Sequence, residues 1–550
     1  MGFGRKARET KESLPPNLEP NQTTNTNMPP ISHHNRPAIM GTLALLAVSS
    51  IFLFASFKKK KEEKNGKNKN RHRRVSFTSV GLGLGSFPPE ANVKEPIINT
   101  AVYFDNNNCP LTKDVAQMII KPLLLGYERL SHIPDLKNRT YRPTTRPTTG
   151  GENGSIIDPM DLIRILAIKG DETLTNDTIL EHCQDSLGEG RGDLPWWEVL
   201  IIRNSGSGPS ACVIRIHHVI GDGLALVAAF DKLLTNEDGT PIPSSSVVFR
   251  SSSGSSSSSS NNGEKKKKKG ALLSTVWSLV EATVHCLTLA ATKYDDDTAF
   301  SKMNHSKMKH SGKRKAVIFP TVPLEFVKRL KTAGGVTVND ILMTAVSQAI
   351  HDYCKLQNDE VLKSKGTSIQ CRGLLPVGFP RTQEELSQSH TAMRNGWCMV
   401  SCDIGVGHSN VEDRLRHVHA KTMEMKEKPR AYMQLKIQNN LGPCIPVKVG
   451  QQTVFDTFSR HSLVLTNVPG PQGRVLFAGK KVKAVQLFFD NLLTQVDLIS
   501  YAGGVYGNIV LDEEQLPNSE VFGQLYVGAL VELAKVLDVD VPSEVKTFVS

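Results

Sequence analysis

The chain has 550 residues, 39% of them hydrophobic and 22% charged, with a formal net charge of +12. That length gives room for more than one domain and a large core. Two tracts carry the whole positive excess, Lys58–Arg74 with a net +8 and Glu264–Lys269 with +4; neither is interleaved with aromatics, which excludes a nucleic-acid-binding reading.

The first 37 residues are polar, rich in Pro, Asn and Thr, and read as disordered. Residues 38–57, AIMGTLALLAVSSIFLFASF, carry no charge over twenty positions and predict a single transmembrane anchor. A signal peptide is the rival reading, but the apolar stretch starts late and runs long. Five Lys/Arg precede it and ten follow closely, so the positive-inside bias puts everything after Phe57 in the cytosol, with the endoplasmic reticulum the expected membrane. Residues 58–96 read as a basic linker. GLGLG at Gly81–Gly85 fails the spacing of a dinucleotide loop and runs into Phe87-Pro88-Pro89.

Periodic sequence occupies residues 97–243. Within it, Val199–Asn204 and Ala211–His217 predict short buried strands, and Gly223–Leu234 a helix. Residues 244–313 hold a Ser/Lys low-complexity linker and an apolar stretch, Ala271–Lys293, which reads as a second span, a surface helix or a packed helix; its Ser, Thr and charge favour packing or surface contact. A second block, 314–550, again alternates strands and helices, so the chain reads as two α/β lobes. Its nine cysteines are scattered, with no CxxC pair, which points to free thiols in a reducing compartment and away from zinc.

The candidate chemistry lies at His217-His218-Val219-Ile220-Gly221-Asp222-Gly223. In an extended strand, Ile214, Ile216 and His218 share one face while Val213, Arg215 and His217 share the other, so the two imidazoles point apart and do not converge on a metal. His218, at a strand end facing a helix start, suits a neutral general base; a core histidine with its hydrogen bonds satisfied is the alternative. Asp222 precedes Gly223 and an apolar run, the place of an N-cap, or it pairs with an arginine; a triad role requires contact with the base. No GxSxG accompanies them, so a substrate hydroxyl would attack directly.

The heptad matches HHxxxDG, and its surroundings resemble the bacterial and plant wax ester synthase/diacylglycerol acyltransferases of the CoA-dependent acyltransferase superfamily. LPWWEVLII (Leu194–Ile202) resembles their PLWE segment, with Pro195, Trp197 and Glu198 matching and Trp196 where Leu is usual. TVNDILMTAV (Thr337–Val346) resembles their ND motif, LTNVPGP (Leu465–Pro471) their NVPGP loop, and Ile499–Pro517 their SYxG strand pair. The family's opening LSxxD segment is blurred in GYERLSHIPD (Gly126–Asp135). The resemblance implies a two-lobed chloramphenicol acetyltransferase-like fold with a tunnel between the lobes. It also implies acyl-CoA and a lipid alcohol as substrates at a membrane, with no bound cofactor. His218 would be the base, His217 and Asp222 structural, and Gly223 clearance for the CoA arm; Trp197, Asn339 and Asp340 would lie near substrate, with an N-cap the alternative for Asn339. The products would be wax esters, triacylglycerol or both. Another alcohol acceptor, or a non-catalytic lipid-binding protein on the same fold, are the competing readings.

Overall fold

The structure, a computed structural model, describes residues 75–548 apart from 106–107, 145–156, 169–175, 205–208, 243–276 and 302–307. Two mixed sheets form its frame. The first takes β1 (Ile97–Phe104), β2 (Ile163–Ile168), β3 (Trp197–Asn204) and β4 (Ser210–His217). The second takes β5 (Arg314–Pro323), β6 (Arg372–Gly378), β7 (Trp397–Asp403), β8 (Leu463–Pro469), β10 (Thr494–Tyr501) and β11 (Gly504–Asp512). Between β8 and β10 in the chain, β9 (Ala484–Phe489) leaves the second sheet and joins the first, pairing antiparallel with β1 from Ile98–Phe489 to Tyr103–Ala484. The strand orders are β9-β1-β4-β3-β2 and β7-β6-β8-β10-β11-β5.

The helices that matter here are α1 (Phe77–Gly83), α2 (Gly223–Phe230), α3 (277–288), α4 (Leu324–Gly334), α5 (Val338–Leu356), α6 (Val411–Glu427), α7 (Arg430–Asn440), α8 (Val447–Phe458) and α9 (Phe522–Val536). α5 shows why such segments become helical. A capping box closes its start: Thr337 Oγ1 accepts from the Asp340 amide (3.2 Å) and Asp340 Oδ2 accepts from the Thr337 amide (2.9 Å). Ile341, Leu342, Ala345, Val346, Ala349, Ile350 and Tyr353 then recur at helical spacing and are all buried.

Strand alternation sorts the two sheets' residues between core and cavity. On β10, Val496 and Leu498 enter the core beneath α5 and α9, while Gln495, Asp497, Ile499 and Tyr501 line a large cavity. On β8, Leu463 and Leu465 face that core, and Val464, Thr466 and Val468 the cavity. From the first sheet, Ile98, Thr100 and Val102 of β1, Ile214 and Ile216 of β4, and Val485, Leu487 and Phe489 of β9 complete the wall. The cavity lies between the sheets because each presents one apolar face to the other.

Two expectations change here, and the apolar stretch takes the packed form that its composition favours. The single-pass membrane protein read from 38–57 is corrected: among the described residues no helix is long and apolar enough to cross a membrane. Residues 38–57 lie outside the described residues, as does the expected disordered start, and the endoplasmic-reticulum and cytosolic placement that depended on the anchor is withdrawn. The basic linker does not extend to residue 96, because its end forms α1, whose Val80 and Leu82 are buried. The described part of the apolar stretch, α3, is too short to span a bilayer. It packs, with Ala282 and Thr283 buried and Glu281 accepting from Arg430 of α7 (2.6 Å).

The PWWE segment is part of this frame. Trp197 is fully buried and donates its indole N–H to the Leu130 carbonyl (2.7 Å). Glu198 stands opposite Arg215 in the β3–β4 register and ion-pairs with it, with Arg191 (2.9 Å) and with Arg164 (3.1 Å). The Arg215 side chain is 0% exposed, so removing its carboxylate leaves a buried charge without compensation. Glu198→Gln should therefore cost about 3–5 kcal/mol of stability, checked by chemical denaturation against wild type.

Candidate active site

β4 ends at His217, and His218 opens the turn that follows. Their environments differ as alternation requires. His217 is buried against Trp196, ring centroids 5.0 Å apart and edge-on, and its Nδ1 accepts from the Val219 amide (3.1 Å). Burial, and then the neighbouring His218, push its pKa down to about 3, so it stays neutral. His218 lies on the other face, in the cavity wall, between the rings of Trp397 (5.1 Å) and Phe489 (5.9 Å). Burial also lowers its pKa, partly offset by its own carbonyl, by Asp222 and by Asn395.

Asn395 sets the His218 tautomer. Its Nδ2 lies against the His218 carbonyl (2.7 Å), the Val219 carbonyl (3.3 Å) and Ser79 Oγ of α1 (2.9 Å). Carbonyl oxygens only accept, so the amide orientation is fixed. Its Oδ1 then faces His218 Nδ1 at 3.2 Å. An amide oxygen also only accepts, so Nδ1 carries the ring proton and Nε2 keeps a free lone pair. That is the form a general base requires.

Asp222 does two jobs at once. Its Oδ1 caps α2 by accepting from the Ala225 amide (3.0 Å) and takes Arg381 Nη2 (2.7 Å), while Oδ2 accepts from the Gly396 amide (2.8 Å). It makes no hydrogen bond to a His218 ring nitrogen among the described residues, so the carboxylate acts on the turn and not as a triad member. Arg129 Nη1 donates to the Ile220 and Met393 carbonyls, and the Tyr141 hydroxyl to the Val219 carbonyl (3.0 Å), holding the turn from a third side. The two glycines differ. A Cβ on Gly221 would come within 2.9 Å of the Met393 carbonyl oxygen, whereas one on Gly223 meets nothing within 4 Å and would occupy open space in the cavity.

Of the remaining predicted residues, Asn339 reaches the cavity wall, where its Oδ1 accepts from Asn467 Nδ2 (2.6 Å). It is not an N-cap; Thr337 is. Asp340 is 0% exposed, spent on the capping box, on Thr422 (2.6 Å) and on His419 (2.9 Å), and Trp197 sits in the core; neither lines the cavity. No cluster of three or more metal-ligating side chains occurs among the described residues. All nine cysteines are free thiols. Sequence reasoning missed Asn395, Arg381, Ser79, Trp397 and Phe489. The Asn395-Gly396 dipeptide is a general turn signal, and the others carry no local signature.

The cavity that His218 faces has a volume of about 900 Å³. Apart from a few polar groups its wall is aliphatic and aromatic: Val80, Leu82 and Leu84 near α1, Leu226, Val227 and Phe230 of α2, Ile437 and Leu441 near α7, Val454 and Phe458 of α8.

A model of the wax ester synthase/diacylglycerol acyltransferase catalytic domain matches residues 191–342, and a model of the WS/DGAT C-terminal domain matches residues 394–534. The chain belongs to this family. Among its relatives are wax ester synthase/diacylglycerol acyltransferase 5 of Arabidopsis thaliana, 24% identical over 56% of this chain and 60% of that one, and the "Probable diacyglycerol O-acyltransferase tgs1" of Mycobacterium tuberculosis, 23% identical over 65% and 74%. This chain thus spans less than two thirds of the Arabidopsis relative. The wax ester synthase/diacylglycerol acyltransferase from Marinobacter aquaeolei VT8 shares the fold, with a TM-score of 0.52 at 16% identity, covering 85% of this chain and all of that one. The trichothecene 15-O-acetyltransferase from Fusarium sporotrichioides also shares it, at 0.50 and 12%, over 84% and 94%. The family boundary at 191 leaves Ser79, Arg129 and Tyr141, which hold the His218 turn and its Asn395 partner, to a region outside both models.

Two outcomes follow from these contacts. Asp222→Ala removes a cap worth about 1 kcal/mol but also strands Arg381, whose side chain is 2% exposed. The second effect dominates, and the loss should reach about 3–5 kcal/mol, read as a lowered midpoint in chemical denaturation. Asn395→Leu frees the His218 ring. Nitrogen-15 spectra of histidine-labelled protein, with His218→Gln to assign the signal, should show the proton on Nδ1 in wild type and a mixture of tautomers in the variant; an unchanged signal contradicts the assignment.

Proposed function

We propose that the protein is an acyl-CoA-dependent O-acyltransferase that forms neutral lipid esters, wax esters from fatty alcohols or triacylglycerol from diacylglycerol. The observation that carries this reading is a neutral imidazole with a free Nε2 in the wall of a large apolar cavity. Membership of the wax ester synthase/diacylglycerol acyltransferase family supports it.

In this reading acyl-CoA is a co-substrate. His218 Nε2 takes the proton of the acceptor hydroxyl as its oxygen attacks the thioester carbonyl. The carbon–sulfur bond then breaks, and the protonated ring returns the proton to the departing CoA thiolate. No acyl-enzyme forms. Charge on the former carbonyl oxygen needs a donor; the Trp397 indole N–H lies buried beside His218 and has no partner among the described residues, which suits it to that task. Apolar walls exclude water, which would otherwise compete for the thioester.

A non-catalytic lipid-binding protein would have the cavity but no need for a base with a fixed tautomer. His218→Ala should lower ester formation by about 10²–10⁴-fold with folding intact by circular dichroism. Because burial lowers the His218 pKa, the base form persists on the acid side. The acid limb of kcat/KM should thus lie below the ordinary histidine value of about 6.5. Fatty alcohol and diacylglycerol supplied in turn to a host lacking neutral lipid, with the products separated, decide the acceptor; no ester from either sinks the reading.

A further inference from the structure

A polar ledge, one of several polar places in the cavity wall, lies on β8 and β10. Gln495 and Asp497 of β10 turn toward the cavity, and Thr466 of β8 stands opposite Asp497 in the parallel register. Gln495 Nε2 donates to Asp497 Oδ1 (2.8 Å) and to Thr466 Oγ1 (3.3 Å), Asn491 Nδ2 donates to Gln495 Oε1 (3.0 Å), and the Phe489 amide donates to Asp497 Oδ2 (3.2 Å).

Asp497 is 2% exposed, and the groups bonded to it are uncharged amides. No ion pair reaches it among the described residues. Burial pushes its carboxyl up to about 7, against the bonds from Gln495 and Phe489, which favour the ionised form. An ionised carboxylate is costly in such a site, and a protonated one has an O–H to donate. The two bonds it accepts leave room for that further contact on the cavity side.

Phe489 links this ledge to the reacting centre. Its ring stands edge-on to His218, 5.9 Å between centroids, while its amide holds Asp497. A group on the ledge is therefore a short way along the cavity from the base.

We propose that Asp497, with Gln495 and Thr466, forms a subsite for a neutral carbonyl, an ester or amide, that a substrate carries near its reacting atom. This rests on the acyl-transfer reading and refines it. Two substrates bring such a group: a diacylglycerol, whose ester carbonyls adjoin the free hydroxyl, and the arm of acyl-CoA, whose amides follow the thioester. A simple fatty alcohol brings none, and only methylene groups would face the ledge, leaving a buried donor unpartnered.

The test compares wild type, Asp497→Asn and Asp497→Leu at pH 6. Oleyl alcohol, dioleoylglycerol and an unreactive S-alkyl thioether of CoA are titrated by calorimetry, with turnover measured in parallel. Asp497→Leu should weaken one carbonyl-bearing ligand by about tenfold, the order of one hydrogen bond, and leave oleyl alcohol unchanged. Asp497→Asn, which keeps a donor, should recover most of the loss. A deficit confined to dioleoylglycerol places the acceptor on the ledge, and one confined to the thioether places the CoA arm there. Equal loss for all three ligands, or for none, overturns the subsite. Asp497→Ala replaces the leucine variant in the same comparison if that variant does not fold. Wild type that binds these ligands but makes no ester would sink the acyl-transfer reading alone, since the binding comparison needs no turnover.

Discussion

The Asp222 carboxylate is the point on which the site depends. It stands where the first sheet hands the chain to α2, yet two of its partners, Arg381 and the Gly396 amide, come from the second block. One buried side chain thus fixes the turn locally and ties the two halves together at the cavity. Burying a carboxylate and a guanidinium is unfavourable unless each is fully engaged. Here the carboxylate is fully engaged, accepting three bonds, whereas the arginine uses only Nη2, toward Asp222 and the Arg394 carbonyl, and its buried Nε and Nη1 have no partner among the described residues. The same Arg394–Trp397 run that satisfies Asp222 carries Asn395 to His218 and Trp397 to its ring. Anchoring the turn and orienting the His218 ring are one piece of construction.

What could be read in the sequence follows the range of the forces involved. Alternation along β4 needs only consecutive residues, so the opposite faces of His217 and His218 were legible from ACVIRIHH. The Asp222 cap and its expected arginine were legible too, because a cap is satisfied within four residues; which arginine was not, since Arg381 lies 159 positions away. Asn395 is 177 positions from His218 and sits in a segment without periodicity. The transfer of β9 to the first sheet is equally non-local: its alternation says that it is a strand, not which edge it pairs with. Asn339 and Asp340 show the limit from the other side. Both sit in a recognisable motif, and the capping geometry that separates them turns on which residue starts α5; Thr337 starts it, so Asp340 closes the box and Asn339 is left at the cavity wall.

The two blocks meet through a shared core as well as through the cavity. The second block's large core lies under α5 and α9, away from the site. The first block's core mixes Val199, Ile201, Ile214 and Ile216 with Val475, Phe477, Val485 and Tyr501 from the second. Substrate would therefore lie where the chain's halves already exchange a strand. Residues on β8, β9 and β10 each present one face to packing and the other to the cavity, so the core of these strands and the cavity wall are built from the same backbone.

The paired histidines show how little sequence separates two different imidazole environments. Both rings are buried, and burial lowers both pKa values. What differs is the partner of Nδ1. His217 Nδ1 accepts from the Val219 amide, so its proton must sit on Nε2, and the ring offers no base toward Trp196. His218 Nδ1 faces an acceptor, Asn395 Oδ1, so its proton sits on Nδ1 and Nε2 is bare. One step along a strand reverses the face, the partner and hence the tautomer. The chemistry of the motif is accordingly not a property of two histidines in sequence. It arises because an asparagine far along the chain spends its N–H bonds on the carbonyls of the same turn and has only its oxygen left to give.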